Sequence, residues 1–268
     1  MSQATAQRKA AARRKREAAE AAEAARQRRT RRLTRLALLL GGAAVLVVAA
    51  SVISTSGGSH ASSRPAIAQK SSGTIPGQRE SAAMLSGIPQ QGIRLGEANA
   101  PVRLVEFADL QCPICREYTV QSLPTLIQKY VRTGKVQMEF RNLAFIGPDS
   151  VKAAQAASAA ARQNKLWRFA DILYYNQGEE NSGYVTPSFL NSINGAAGVA
   201  TGPANAFAAT PAARAPLAVD DKLGNQLGVS GTPTIFVGRR GGQLTRVNVA
   251  PTDTAGYESA INAALGSS

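Results

Sequence analysis

The chain has 268 residues and a formal net charge of +14, with one histidine, one tryptophan and two cysteines. Cys and His together number three, which is too few for a zinc site with four such ligands,. Two cysteines are also too few for an iron–sulfur cluster on four thiolates or for a scaffold of several disulfides. The hydrophobic content of 44% is still enough for a sizeable core,.

Positive charge is concentrated in residues 1–35, which contain twelve basic and three acidic side chains. Residues 36–53 follow without a charge. As a helix they would span about 27 Å, close to the thickness of a bilayer core. A buried core helix and a cleavable signal peptide are the alternatives, but the long basic leader favours an uncleaved single transmembrane helix. The positive-inside rule then predicts residues 1–35 in the cytoplasm and residues 54–268 outside.

The basic arm has no aromatic residue and no recognisable DNA-binding motif. We therefore expect it to contact anionic lipid headgroups rather than nucleic acid. Residues 54–82 are rich in Ser, Gly, Ala and Gln, which predicts a flexible tether with a reach of about 30 Å. The globular pattern begins at about residue 84, so the domain is expected to work near the membrane surface.

Residues 84–268 predict one α/β domain. A strand over residues 102–107 precedes a helix that begins at Cys112-Pro113 and is kinked at Pro124. A second strand is predicted over residues 136–140.

A mostly helical block is predicted over residues 149–228, where Gly and Pro separate the helices. Its helices are expected over residues 151–175, 187–194, 203–209 and 215–227. The chain is then expected to form a hairpin of two strands, residues 234–237 and 244–249, and a last helix over residues 251–265.

The two cysteines form the motif Cys112-Pro113-Ile114-Cys115. Free N–H groups and the dipole at a helix N-terminus favour an anion, so the pKa of the Cys112 thiol should fall and Cys112 should be the attacking thiolate. Cys115 lies one turn further on and can resolve a mixed disulfide. A metal site would lack nearby ligands, and a structural disulfide across four residues would stabilise little. The motif therefore predicts a redox-active pair.

Glu106 lies six residues before Cys112, between Val105 and Phe107 of the apolar strand. A buried carboxylate there would have a raised pKa and could accept the Cys115 proton when this thiol attacks. The alternative is a glutamate on an edge strand that faces water.

Pro233 follows Gly231-Thr232 at the start of a predicted strand and is a candidate for a cis peptide bond,. A cis Thr232–Pro233 bond would leave the Thr232 backbone exposed to pair with an extended polypeptide. On physical grounds alone, an ordinary trans proline at the strand start is favoured.

Together, Glu106, the cysteine motif, a helical insertion and Gly231-Thr232-Pro233 resemble the DsbA-like branch of the thioredoxin superfamily. The resemblance is greatest to the membrane-anchored bacterial thiol–disulfide oxidoreductases, and residues 95–112 resemble that family's entry into the active site. It covers about residues 84–268. It implies an α/β thioredoxin fold with an inserted helical block, preceded by a single transmembrane helix.

The same resemblance implies a role for each site residue. Cys112 would be the nucleophile, Cys115 the resolving thiol and Glu106 the buried acid. Pro233 would be a cis-proline facing the cysteines, and Thr232 would tune the site and hold substrate.

Two positions depart from the family pattern. Pro113-Ile114 occupy the dipeptide in which the best-known oxidases carry His, and Gln111 stands where many thioredoxins have an aromatic residue. Thiolate stabilisation must then come mostly from the helix N-terminus, which predicts a weaker oxidant. Arg116 could add to this stabilisation, but a solvated helix charge is the role we expect for it.

The first functional hypothesis is a membrane-tethered oxidase on the outer face of a bacterial cell membrane, acting on cysteine pairs of exported proteins. It would need no cofactor besides the Cys112–Cys115 disulfide. A quinone-linked DsbB- or VKOR-like membrane protein would reset it. The alternatives are a reductase fed by a transmembrane electron donor and a non-redox module that binds extended peptides.

Overall fold

The computed structural model describes residues 74–266. The predicted basic arm (1–35), the predicted span (36–53) and residues 54–73 of the predicted tether lie outside the described residues. Within residues 74–266, no helix has the length and apolar character needed to cross a membrane.

The folded part of the chain begins earlier than predicted, because the last residues assigned to the tether form helix α1, Gln78–Leu85. Ile75, Ser81 and Leu85 are buried, and the two apolar side chains join the main core. The polar composition around residue 80 gave no sign of this, since α1 buries only a narrow face. The prediction that residues 54–82 are tether throughout is therefore wrong at its C-terminal end.

A six-stranded mixed sheet forms the centre of the domain, in the order β1-β2-β4-β3-β5-β6. Only β3 and β4 are parallel; the other neighbours are antiparallel. The strands are β1 Gln90–Gln91, β2 Arg94–Leu95, β3 Val102–Ala108, β4 Val136–Asn142, β5 Thr234–Arg239 and β6 Thr245–Val247. The four predicted strands are confirmed, and β1 and β2 were missed because two residues carry no periodic pattern.

Helical structure runs from Pro113 to Val131 in four pieces. They are α2 Pro113–Glu117, a π-helical turn Tyr118–Ser122, α3 Leu123–Leu126 and a second π-helical turn Ile127–Val131. Pro124 has no N–H for the usual bond four residues back. The chain passes it through a wider turn, in which the Leu123 N–H donates to the Tyr118 carbonyl,. The predicted irregularity is thus a change of helical pitch next to the proline.

The predicted helical block lies between β4 and β5, with one correction. The first helix is in fact two, because Asn164 adopts a left-handed φ of 56° and ends the first of them,. The block comprises α4 Pro148–Arg162, α5 Leu166–Tyr175, α6 Pro187–Ala197, α7 Thr201–Ala208, the 3₁₀ turn Pro211–Ala213 and α8 Ala215–Gln226.

The predicted last helix is α9, which spans Thr254–Gly266 and buries Tyr257 and Ile261. The main hydrophobic cluster lies on one face of the sheet and includes side chains of α1, α2, α5 and α9. A smaller cluster on the other face contains Val105 and Phe107 of β3, with Leu223 of α8 packed against it. Alternate residues of β3 therefore face the main cluster on one side of the sheet and the smaller cluster on the other. The C-terminal end of β3 leads directly to the cysteines.

Candidate active site

Cys112 occupies the N-cap of α2, and Pro113 takes the first helical position, where its missing N–H costs nothing,. The Cys115 N–H donates a hydrogen bond to Cys112 Sγ at 3.4 Å. Cys112 Sγ in turn donates to the Thr232 carbonyl at 3.4 Å. The sequence motif thus lies at a helix N-terminus, as its sequence predicts, and the loop before β5 contacts the same sulfur.

The two thiols lie in different environments. A hydrogen bond from Cys115 lowers the pKa of the Cys112 thiol and outweighs partial burial, which would raise it. The backbone N–H groups of Cys115 and Ile114 and the contact with Thr232 also lower this pKa, which falls to about 6. Burial, followed by the neighbouring Cys112 sulfur, raises the pKa of Cys115 well above its usual range. Cys115 is fully buried, whereas Cys112 retains 6% exposure. At neutral pH this geometry favours a thiolate at Cys112, which keeps a small exposed surface, beside a protonated and fully buried Cys115 thiol.

Glu106 is buried, with 1% of its surface exposed, so the alternative of a water-facing edge glutamate is wrong. The reason is topological: β3 lies between β4 and β5, and Glu106 pairs with Phe140 and Ile235. Among the described residues neither carboxylate oxygen has a hydrogen-bond partner. Burial raises its pKa to about 8, so at neutral pH Glu106 is mainly a neutral carboxylic acid.

Two buried tyrosines connect the electrostatics of Glu106 and Cys115. Burial raises the pKa of Tyr257 to about 12, with further contributions from the charges of Glu106 and Cys115. Burial likewise raises the pKa of Tyr174 well above its usual range, and the charges of both groups add to the shift. Glu106 and Cys115 therefore act on the same interior, as a proton transfer between them requires.

The Thr232–Pro233 peptide bond is cis, as the motif suggested and against the trans alternative. Its position places the Thr232 carbonyl against Cys112 Sγ. Pro113 and Ile114, between the cysteines, are both exposed, Ile114 to 42%. The structure thus brings Cys112, Cys115 and Thr232 together. Within the described residues, Glu106 is connected to Cys115 only through the two tyrosines that feel both groups.

Asp109, which sequence reasoning missed, fixes the loop that leads to Cys112. Its Oδ1 accepts hydrogen bonds from the Gln111 N–H at 2.9 Å and the Ser150 hydroxyl at 2.7 Å. Its Oδ2 accepts from the backbone N–H groups of Phe145 and Ile146 at 3.0 and 3.1 Å. The Asp-x-Gln spacing is a local signal for such a turn, but the donors from residues 145–150 are not visible in sequence.

Gln111 also has a structural role. It is buried where the family pattern would place an aromatic side chain, and its amide N–H donates to the Ser150 hydroxyl at 2.9 Å. The Asn181 N–H donates to its carbonyl oxygen at 2.8 Å. This side chain joins the active-site loop to the helical block.

Two more residues of the block hold the same loop. Gln177 donates to the carbonyls of Leu110 and Cys112, and the Tyr174 hydroxyl donates to the Asp109 carbonyl. Arg116 is exposed as predicted, but its Nε also donates to the Tyr174 carbonyl at 3.0 Å. The helical block therefore holds the active-site loop in place through hydrogen bonds.

The sequence of this chain is similar to those of known proteins. The sequence model of the family described as Thioredoxin matches residues 89–249. A Bacillus cereus protein named "Probable disulfide bond formation protein D" is 44% identical over 101 residues, which is 37% of this chain and 47% of the relative. The chain spans about half the length of the curated relatives it matches.

Solved structures show the fold. The oxidised form of BdbD from Bacillus subtilis superposes with a TM-score of 0.59 at 23% identity, covering 66% of this chain and 97% of the other. The α-DsbA1 protein of Wolbachia pipientis gives 0.57 at 19% identity, covering 68% and 92%. The predicted thioredoxin-like α/β fold is thus confirmed for the described residues.

Proposed function

This chain belongs to the thioredoxin family, and we propose that it is a protein thiol–disulfide oxidoreductase that oxidises cysteine pairs of exported proteins. One observation carries the proposal: Cys112 caps α2 and accepts a hydrogen bond from the Cys115 N–H, hydrogen bonding from Cys115 lowers the pKa of Cys112 to about 6, and burial raises that of Cys115. Thiol–disulfide exchange requires this asymmetry, because the low-pKa sulfur is both the reactive thiolate and the better leaving group.

The reaction begins with a disulfide between Cys112 and Cys115. A substrate thiolate attacks Cys112 Sγ, a mixed disulfide forms and Cys115 leaves with the electron pair of the broken bond. A second substrate thiolate then attacks the substrate sulfur of the mixed disulfide, and Cys112 leaves as a thiolate. The substrate gains a disulfide, the protein gains two electrons, and no cofactor is required.

Glu106 is the proton donor and acceptor for Cys115 in this scheme. With a pKa of about 8, it holds a proton at neutral pH and can give it to the departing Cys115 sulfur,. When the disulfide closes again, the ionised carboxylate accepts the Cys115 proton as that sulfur attacks Cys112. The proposal is supported by the full burial of both groups.

Substrate would bind beside Thr232 and Pro233. The Thr232 carbonyl contacts the attacked sulfur, so a peptide that reaches Cys112 must pass along the backbone of this loop. The exposed side chains of Pro113 and Ile114 offer an apolar surface on the other side. An extended segment with backbone polar groups towards Thr232 suits this cleft.

The direction of electron flow follows from the stability of the thiolate. A Cys112 pKa of about 6 stabilises the reduced form and so favours an oxidase over a reductase,. Because no histidine lies between the cysteines, we expect a weaker oxidant than the best-known DsbA-like enzymes. A reductase fed by a transmembrane electron donor remains the second candidate.

The cellular setting is proposed from the sequence. The apolar run 36–53 and the basic residues before it support a single-pass anchor in lipid, with the N-terminus in the cytoplasm of a bacterial cell and residues 54–268 on the outer face. A quinone-linked DsbB- or VKOR-like membrane protein would reoxidise the pair. Nucleic acid has no part in the proposal.

Trapping tests the proposal on the full chain in its own membrane. A Cys115→Ala variant should accumulate exported proteins in disulfide linkage to Cys112, since the mixed disulfide can no longer be resolved from within. Cys112→Ala is the matched control and should accumulate none. A non-redox peptide-binding module would give no linked proteins with either variant, and that result would contradict the proposal.

A further inference from the structure

An open polar cleft lies between α1 and the turn that connects α4 to α5. Its volume is about 560 Å³. Two cations, Lys165 and Arg168, line it together with the amide side chains of Gln90, Gln163 and Asn164. Within residues 74–266, none of the residues that line the cleft is acidic. The cleft is therefore positively charged.

The two cations of the cleft have no acidic partner. No ion pair in the described part of the chain involves Lys165 or Arg168. The Nε of Arg168 is buried and finds no hydrogen-bond acceptor among the described residues. Asp171 lies one turn further along α5, but its raised pKa reflects burial, Ser81 and Glu80 and not a nearby cation. A buried donor without an acceptor destabilises a fold, whereas an anion in the cleft would satisfy it.

The N-terminus of α5 adds to the positive potential of the cleft. This helix has ten residues and begins at Leu166, directly after three residues that line the cleft, Gln163, Asn164 and Lys165. Within residues 74–266 no side chain caps it, so its first N–H groups have no side-chain acceptor. These N–H groups and the positive end of the helix dipole favour an anion.

Gln90 indicates a second group on the ligand. It lines the cleft, and its amide Oε1 is buried without a hydrogen-bond partner among the described residues. An amide oxygen only accepts hydrogen bonds, so it suits a hydroxyl group and not an ionised oxygen. Next to Ser86, which also lines the cleft, Arg132 donates to the Met84 and Ser86 carbonyls at 2.7 and 2.9 Å and adds positive charge. The cleft thus offers positive charge and donors for an anion and one acceptor for a hydroxyl group.

We propose that this cleft binds a phosphate ester that also carries a hydroxyl group, as the headgroup of an anionic glycerophospholipid does. The phosphate would accept hydrogen bonds from Arg168 and Lys165, and the hydroxyl would donate to Gln90. A phosphate group has more acceptor oxygens than a carboxylate, enough for two cations and a helix N-terminus together. None of the residues that line the cleft belongs to the cysteine site, so the proposal goes beyond the exchange reaction.

The position of α1 in the chain favours a lipid as the source of this phosphate ester. α1 follows residues 54–73, which connect it in sequence to the proposed anchor at residues 36–53. Its eight residues span about 12 Å,, so the cleft at its C-terminal end lies close to the point where this connection enters the domain. A headgroup bound there would orient the domain at the membrane. Soluble glycerol phosphates have the same chemistry and are the other source.

Hydrogen–deuterium exchange of the full-length protein in lipid nanodiscs gives a local measurement of binding. A local measurement is needed because the basic arm, residues 1–35, is expected to attract anionic lipid by itself. Residues 82–90 and 163–168 should exchange about 3- to 10-fold more slowly in phosphatidylcholine mixed with phosphatidylglycerol than in phosphatidylcholine alone. The reason is that a ligand that binds only the closed form suppresses local opening.

Glycerol 1-phosphate, added at about 10 mM to the phosphatidylcholine nanodiscs, tests the soluble source. Protection by phosphatidylglycerol alone would support the lipid headgroup, and protection by glycerol 1-phosphate would support a site for soluble esters too. No protection by either would overturn the proposal. Methyl phosphate, which lacks a hydroxyl group on carbon, should protect less than glycerol 1-phosphate. Equal protection by the two esters would overturn the contact with Gln90.

Substitutions show whether the cations of the cleft are responsible. Arg168→Gln and Lys165→Gln should each reduce the protection, and the double variant should abolish it, because no positive side chain of the lining remains. Lys222→Gln is the matched control, since it removes an exposed cation of α8 outside the cleft, and it should leave the protection unchanged. If Arg168→Gln does not fold by circular dichroism, Lys165→Gln alone is compared with the control.

Two results with these variants would overturn the proposal. One is protection that survives both substitutions in the cleft, and the other is protection that Lys222→Gln removes equally. The rate of reaction with glutathione disulfide is measured on the same proteins and should stay at the wild-type value. The phosphate site and the proposed function can therefore fail independently of each other.

Discussion

Two buried glutamates on neighbouring strands have opposite environments. Glu106 of β3 faces the main core and has no hydrogen-bond partner within residues 74–266, and burial raises its pKa to about 8. Glu139 of β4 is 3% exposed and faces the other side of the sheet, among arginines. Burial acts to raise its pKa too, but Arg141, Arg103 and Arg94 outweigh it, so that the pKa is lowered.

The difference teaches that burial alone does not fix the state of a carboxyl group. Glu139 has Arg141 and Arg94 as hydrogen-bonded partners and serves the structure as a permanent charge. Glu106 has no partner among the described residues and can change its protonation state without breaking a hydrogen bond. A fold keeps such a destabilising group when the chemistry needs a movable proton.

The largest expected effect comes from replacing Glu139, the glutamate that is paired with arginines. Glu139→Gln removes the buried carboxylate that faces Arg94, Arg103 and Arg141 and should lower the free energy of unfolding by about 3 kcal/mol at pH 7,. Asp220, which also accepts a hydrogen bond from Arg141, limits the loss. Urea denaturation of both proteins measures it, and a stability equal to wild type would show that the ion pairs contribute nothing net.

Replacing Glu106, the glutamate without a hydrogen-bond partner among the described residues, should raise the free energy of unfolding instead of lowering it. Because the pKa of Glu106 is raised by folding, the native state binds more protons than the unfolded state between about pH 5 and pH 8, and stability should fall as pH rises,. Glu106→Leu should therefore raise the free energy of unfolding by about 2 kcal/mol at pH 8 and by much less at pH 5.

The same variant should slow the closing of the Cys112–Cys115 disulfide. Denaturation at the two pH values, together with glutathione disulfide kinetics, tests both consequences. A Glu106→Leu protein that is less stable than wild type at pH 8 would contradict the unpaired environment described above. Asp171, whose raised pKa acts in the same direction, leaves part of the pH dependence in place.

A third buried carboxylate sharpens the comparison, because Asp109 is paired with neutral donors only: four hydrogen bonds from Gln111, Ser150, Phe145 and Ile146. Asp109→Ala should cost about 2 kcal/mol of stability, since it leaves buried N–H groups without an acceptor. The attack rate of Cys112 should fall as its loop loosens. Asp109→Asn, which keeps one acceptor oxygen, is the matched control and should lie between the two; an Ala variant as stable as wild type would exclude this role.

The smallest expected effect is at the exposed dipeptide between the cysteines. Ile114→His would place a positive charge near the Cys112 thiolate, and we expect a further fall in the Cys112 pKa of about one unit at most. The reduction potential should rise by about 30 mV in step. The pH dependence of Cys112 alkylation measures the first shift; Ile114→Gln, which is polar but uncharged, should not move it.

The sequence predicted the fold where the hydrophobic pattern is periodic. It predicted the site where the residues concerned are adjacent in the chain. The buried strand β3, the helix start at Cys112-Pro113 and the hairpin each have a signal of a few adjacent residues. Helix α1 escaped prediction because its buried face is narrow, and the break at Asn164 because an alanine-rich sequence gives no reason for it. The Ser150 hydroxyl that donates to Asp109 could not be predicted, since only the packing of α4 against the active-site loop brings together residues 41 positions apart.

The reduction potential of the Cys112–Cys115 pair tests the central claim most directly. The full chain in detergent would be equilibrated with glutathione buffers at pH 7, and the fraction oxidised would be read by mass spectrometry after thiol alkylation. We predict a potential well above the thioredoxin value of about −270 mV, because the low Cys112 pKa stabilises the reduced form,. A value at or below that of thioredoxin would contradict an oxidase and identify the protein as a reductase.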